Sequence, residues 1–199
     1  MGGLVPAAVV VWVLGMAIGM GWGGPVVGAV GRFLDLYCGV FALVALSLAV
    51  MVGLLATDRV ILTARHRVRA QVVHRALAFV AVAMLVAHLA TQMLRHRVGV
   101  VGAFLMPSSL TFALGTVAFY LLLFAVASGV LRGRFALTGR PWVWRVLHLT
   151  AYVAWPMGIW HGLTAGREAA VWVKLAYAGC FVAVALALIV RPFLRGRTS

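Results

Sequence analysis

At 199 residues, 65% of them hydrophobic and only 10% charged, the chain carries more apolar surface than a soluble domain of its size can bury, and it reads as a polytopic membrane protein. Its 17 basic and 3 acidic residues give a net charge of +14. The basic residues fall in short segments between apolar runs, the pattern of cytoplasmic loops, which argues against a nucleic-acid surface and makes anionic lipid head groups their neighbours.

A helix needs roughly 20 apolar residues to cross the hydrocarbon of a bilayer. Six segments qualify, at about 4–22, 33–56, 73–94, 110–131, 146–164 and 171–190. The first has no basic region before it, so a retained helix is expected rather than a cleaved signal peptide. Its Gly15, Gly19 and Gly23 recur every four residues, a small-residue face for close helix packing, and Gly23, Gly24 and Pro25 close it. The second segment holds Cys38 and the sixth Cys180; no disulfide framework surrounds either, so both read as buried thiols. The third carries His74 and His88. Pro107, Ser108 and Ser109 precede the fourth, with either serine a plausible N-cap. The fifth carries His148, Trp155, Pro156 and His161, and Pro192 is expected to end the sixth. Lipid leaves no backbone polar group unpaired, so the fold class is all-α, a six-helix transmembrane bundle forming one domain over 1–199.

With the N-terminus in the cytoplasm, Arg59, Arg65, Arg67, Arg69, Arg75, Arg132, Arg134, Arg140, Arg145, Arg191, Arg195 and Arg197 lie inside. Arg32, Arg95, Arg97, Arg167 and Lys174 lie outside. This bias puts both termini in the cytoplasm.

Histidine is costly in a bilayer, and an intramembrane histidine points to a functional site. A lone buried histidine is usually hydrogen-bonded structure, but here four form two pairs. His74 and His88 are 14 residues apart, a rise of about 21 Å; His148 and His161 are 13 apart, about 19.5 Å. The third and fifth segments run in the same direction, so His74 matches His148 in depth and His88 matches His161. Neutral imidazole is a standard axial ligand for haem iron. The quartet therefore predicts two stacked bis-histidine haems between the third and fifth helices, inner at His74/His148 and outer at His88/His161. At about 100° per residue the third-helix pair shares a face, whereas the fifth-helix pair lies about 140° apart. An overwound or bent turn around Trp155 and Pro156 is expected to bring His161 back.

Haem propionates are anionic. Arg75 and Arg145 stand near the inner level, Arg95 and Arg167 near the outer, and each is a candidate partner for a propionate, with lipid phosphate or water the alternative. His66 and His96 sit among arginines and read as solvated. Trp142, Trp144 and Trp172 fit an interfacial belt; Trp155 and Trp160 lie inside the fifth helix, where packing alone would account for them.

The stretches VHRALAFVAVAMLVAHL from Val73 and WRVLHLTAYVAWPMGIWHGLTAG from Trp144 resemble the ferric reductase-like transmembrane domain. That superfamily includes ferric reductases, NADPH oxidases and the haem subunit of a bacterial methionine sulfoxide reductase system. The resemblance covers about 33–190, is closest to stand-alone members from high-GC bacteria, and rests on the paired histidine spacing. It implies that His74, His88, His148 and His161 ligate two b-type haems and that electrons move outward from a cytoplasmic flavin. No G-x-G-x-x-G follows a strand, so no FAD or NAD(P) site is expected in this chain. A separate cytoplasmic flavoprotein or membrane quinol is the expected donor, attracted to the Arg-rich segments 57–72 and 132–145. The expected acceptor lies on the outer side of a bacterial inner membrane. No carboxylate among Asp35, Asp58 and Glu168 reads as a general acid or base. The rival readings are a haem-free membrane scaffold or assembly subunit and, more weakly, a small transporter.

Overall fold

A computed structural model describes residues 16, 19, 21, 23–57, 62–95, 99–105, 107–165 and 168–196, and among these every regular element is a helix. The elements are α1 (Gly23–Ala56), α2 (Ala64–Leu94), α3 (Val100–Phe104), α4 (Leu110–Val130), α5 (Arg132–Leu137), α6 (Pro141–Leu149), α7 (Ala151–Thr164) and α8 (Val171–Gly196). Among the described residues, four stretches are long and apolar enough to cross a membrane: Gly24–Ala56, Ala64–Leu94, Leu110–Val130 and Val171–Val190. Their outward faces are apolar, with Phe79 75% and Leu110 77% exposed, as lipid-facing helices require. The segment at 4–22 and its Gly15–Gly19–Gly23 face lie largely outside the described residues.

Several boundaries differ from those read from apolar runs. α1 starts at Gly23 rather than 33, because Pro25 falls in its first turn, where a missing N–H costs nothing. α2 starts at Ala64 rather than 73; Arg65, Arg67, Arg69 and Gln71 interrupt the apolar run but are good helix formers. Ser109 is the N-cap of α4, its hydroxyl accepting from the Phe112 N–H at 3.4 Å. α8 does not stop at Pro192 but continues to Gly196. Two short helices, α3 and α5, fall in segments read as loops.

The fifth expected helix is two pieces, α6 and α7, joined at Thr150. Thr150 N–H donates to Leu147 O and Val153 N–H to Thr150 O, both one residue short of α-helical spacing. The Thr150 hydroxyl lies 2.8 Å from Leu121 O on α4 and 2.6 Å from Leu147 O. A tightened turn thus sits at Thr150, six residues before Pro156, which lies inside α7.

α1 is the central element. It packs along α2 over most of its length and also touches α7 and α8, while α4 packs against α6 and α7. Among the described residues the large buried side chains come from α1, α7 and α8, among them Cys38, Leu46, Trp155, Ile159, Tyr177 and Val184. Leu43 of α1 fits into a notch on α7, where a Cβ at Gly158 or Gly162 would meet a Leu43 methyl at 2.9 Å. In lipid such close packing, rather than escape from water, drives helices together. Two hairpins result, α1–α2 and α4–α6–α7. No extensive contact joins α2 to α6 or α7 among the described residues, so a slot remains between them.

Candidate functional site

The slot is lined by histidines, each seated on a glycine of the other helix in its own hairpin. A Cβ at Gly53 of α1 would stand 3.1 Å from the His74 ring, and one at Gly39 would stand 3.2 Å from that of His88. On α4 the same construction puts Gly115 2.7 Å from His161 and Gly129 3.4 Å from His148. The absent side chains let each imidazole approach the neighbouring backbone closely.

Three of the rings are also pinned through Nδ1. His74 Nδ1 bonds Ala49 O at 2.8 Å, His148 Nδ1 bonds Ala125 O at 2.9 Å, and His161 Nδ1 bonds Thr111 O at 2.9 Å. Each carbonyl lies one helical turn before the glycine beneath the ring. A carbonyl can only accept, so Nδ1 carries the proton and Nε2 keeps its lone pair for another partner. This bond to a backbone carbonyl fixes the tautomer a metal-ligating histidine needs.

His148 and His161 both bond to α4, so they share a side despite their 13-residue spacing. The tightened turn at Thr150 has the right sense, since a 3₁₀-type residue turns about 20° further than an α-helical one.

The ring centroids of His74 and His148 are 6.0 Å apart, with ring planes inclined at 70°. A metal–imidazole bond of about 2.0 Å on each side, with the ring's own half-width, gives a centroid separation of about 6 Å. His88 and His161 line one cavity of about 700 Å³, together with Gly39, Gly115, Ala81 and Phe112. That volume is in the range of cofactor sites. α3 roofs it: Thr116 donates to Ala103 O at 2.8 Å and the Tyr120 hydroxyl to Phe104 O at 2.9 Å, satisfying carbonyls that the short helix leaves open. Among the described residues no three His, Cys, Asp or Glu side chains cluster as a metal cage. A bis-histidine haem iron takes two protein ligands and its other four from the porphyrin, and the paired rings over glycine cradles fit that demand.

The expected arginines divide. Arg75 and Arg145 are exposed. Arg95 lies 3.7 Å from the Asp35 carboxylate, which is nearly buried and lines the cavity of His88 and His161. Arg167 lies outside the described residues, as do His96 and Asp58. His66 is exposed, its Nδ1 3.0 Å from the Thr63 hydroxyl. Trp155 belongs to the core: its indole N–H donates to Ser47 Oγ at 2.8 Å and its ring stacks on Phe181. Trp160 is 60% exposed and faces outward. Trp144, expected in an interfacial belt, instead stacks on His148 at 5.5 Å with the Arg132 guanidinium 4.8 Å from its ring centre. Outside the spans, Glu168 pairs with Lys174 at 2.8 Å, and that bond holds its carboxyl below the usual range.

No protein-family model, curated protein or solved structure matches this chain.

The glycines were the signal overlooked in the sequence. Gly39 and Gly53 are 14 apart, as are Gly115 and Gly129, and each pair precedes a histidine pair of nearly the same spacing. The chain therefore repeats one hairpin plan: two glycines 14 apart on a first helix, then two histidines, on α2 in one copy and on α6 and α7 in the other, whose rings rest on them.

Proposed function

We propose that this chain carries electrons across a bacterial inner membrane by holding two b-type haems, one between His74 and His148 and one between His88 and His161. It receives electrons from a separate cytoplasmic flavoprotein or quinol and passes them to an acceptor on the outer side, in the manner of the ferric reductase-like domains it resembles. The observation that carries this reading is the 6.0 Å approach of the His74 and His148 rings, one from each hairpin. Haem held by these histidines would supply one-electron chemistry.

The protein's own part is positioning. Ala49, Ala125 and Thr111 orient three of the rings through Nδ1, and the four glycines keep the cradles open. Leu43 in the Gly158–Gly162 notch ties α7 to α1 and so helps set how far apart the histidine-bearing helices stand. The arginines at the inner end, with Arg132 the best placed by its stack on Trp144, present a basic face to an acidic donor.

The test is the visible spectrum of the purified chain expressed with ample haem. A dithionite-reduced b-type α-band with about two haems per chain is the expected result. A colourless protein would overturn the reading in favour of a haem-free scaffold.

A further inference from the structure

Among the described residues, two buried side-chain nitrogens have no hydrogen-bond partner: Nε of Arg67 and Nε1 of Trp144. Both can only donate. A buried donor left unpaired is costly and calls for a partner that the described residues do not supply. Their placement is not random. Arg67 lies seven residues before His74 on α2, which keeps it within about 20° of the same face and about 10.5 Å further along the axis. Trp144 lies one turn before His148 on α6 and stacks on its ring. Both donors therefore sit beyond the His74–His148 pair at the same end of the slot, one on each wall. The Arg132 guanidinium over Trp144 adds positive charge there. No carboxylate among the described residues serves this end: Asp35 lines the cavity of His88 and His161, and Glu168 belongs to the loop before α8.

The geometry points to a carboxylate-binding site formed by Arg67 and Trp144, which takes the propionate of the tetrapyrrole held by His74 and His148. This rests on the two-haem reading and deepens it. It also moves the inner propionate contact from Arg75 and Arg145, which are exposed, to residues on the slot walls. A guanidinium suits a carboxylate better than a lone ammonium does, because its planar fork matches two oxygens.

The full-length chain, purified without haem, is titrated with haem b and with haem b dimethyl ester, whose carboxylates are blocked. The wild-type chain is expected to take up one of its two equivalents of haem b about tenfold or more tighter than the ester. In Arg67→Gln and Trp144→Phe that preference shrinks toward none at the same equivalent, while Arg67→Lys keeps part of it. Retention of the other equivalent reports that each variant is folded. Equal binding of haem b and its ester by the wild-type chain overturns the inference. So does an undiminished preference in Arg67→Gln, including the case where that variant instead loses co-purifying phosphatidylglycerol, which would assign the donors to a lipid phosphate. A wild-type chain that binds neither haem nor ester fails the two-haem reading itself, a separate outcome.

Discussion

The indole N–H of Trp155 on α7 donates to Ser47 Oγ on α1 at 2.8 Å, a buried side-chain bond between residues 108 positions apart. Ser47 Oγ in turn lies 2.7 Å from Leu43 O, and Leu43 is the side chain that fills the α7 notch. One bond thus secures the seam where the two hairpins meet. Ser47→Ala leaves the indole without an acceptor and is expected to cost about 0.6–1.7 kcal/mol, the range of interhelical hydrogen bonds in membranes. Thermal unfolding in detergent checks it, with a lowering of a few degrees expected for a chain of this size. An unchanged melting temperature would mean the seam does not depend on this bond.

The notch makes a graded prediction. Gly158→Ala alone meets one methyl of Leu43, which can swing aside, and is expected to be mild. Gly158→Ala with Gly162→Ala blocks both methyls, and a Cβ at Gly162 would also stand 3.3 Å from the Tyr177 ring. The double variant is expected to lose more stability than the sum of the singles, because neighbouring sites that share one partner are not additive. Additive melting shifts would count against the notch as the contact that ties α7 to α1.

The four glycine cradles rank themselves by distance. Alanine at Gly115 would stand 2.7 Å from His161, at Gly53 3.1 Å from His74, at Gly39 3.2 Å from His88, and at Gly129 3.4 Å from His148. Gly115→Ala is expected to displace its ring and lower outer-haem content most, with an overpacking cost of about 1–3 kcal/mol. Gly129→Ala is expected to bind haem nearly as wild type does. Haem-to-protein ratios across the four variants test the order, and a reversed ranking would refute the cradle account.

Ligand substitutions test the pairing directly. His88→Ala or His161→Ala is expected to lose the outer haem and keep the inner, and His74→Ala or His148→Ala to do the opposite. Stoichiometry together with the redox titration of the remaining haem distinguishes the two sets. Full occupancy of both haems in every single variant would disprove the assignment.

Much of this arrangement could be read from the residues. The histidine pairing, the Ser109 cap and the membrane class follow from spacing, turn chemistry and hydropathy. The glycines opposite His74 and His88 were equally legible, because their 14-residue interval copies that of the histidines. Arg67 was too, since seven residues bring a helix back to nearly the same face. The break at Thr150 was not. No glycine or proline stands there, and the turn tightens where the threonine hydroxyl reaches Leu121 O on another helix, a partner that local sequence does not reveal. The expectation placed at Pro156 rested on local preference alone, and local preference does not point to Thr150, whose contact is tertiary. α2 likewise begins earlier than hydropathy suggests, because arginine ends an apolar run without ending a helix.

The duplicated hairpin plan bears on how the molecule is put together. His74, His148 and His161 each find their anchoring carbonyl inside their own hairpin, so neither half waits for the other before its rings are aimed. The halves join on the far side of the slot, through Leu43 and Trp155. On the two-haem proposal, a flat pigment as wide as a porphyrin would not have to thread through a closed barrel of helices; it would enter sideways, between two jaws joined only along their back.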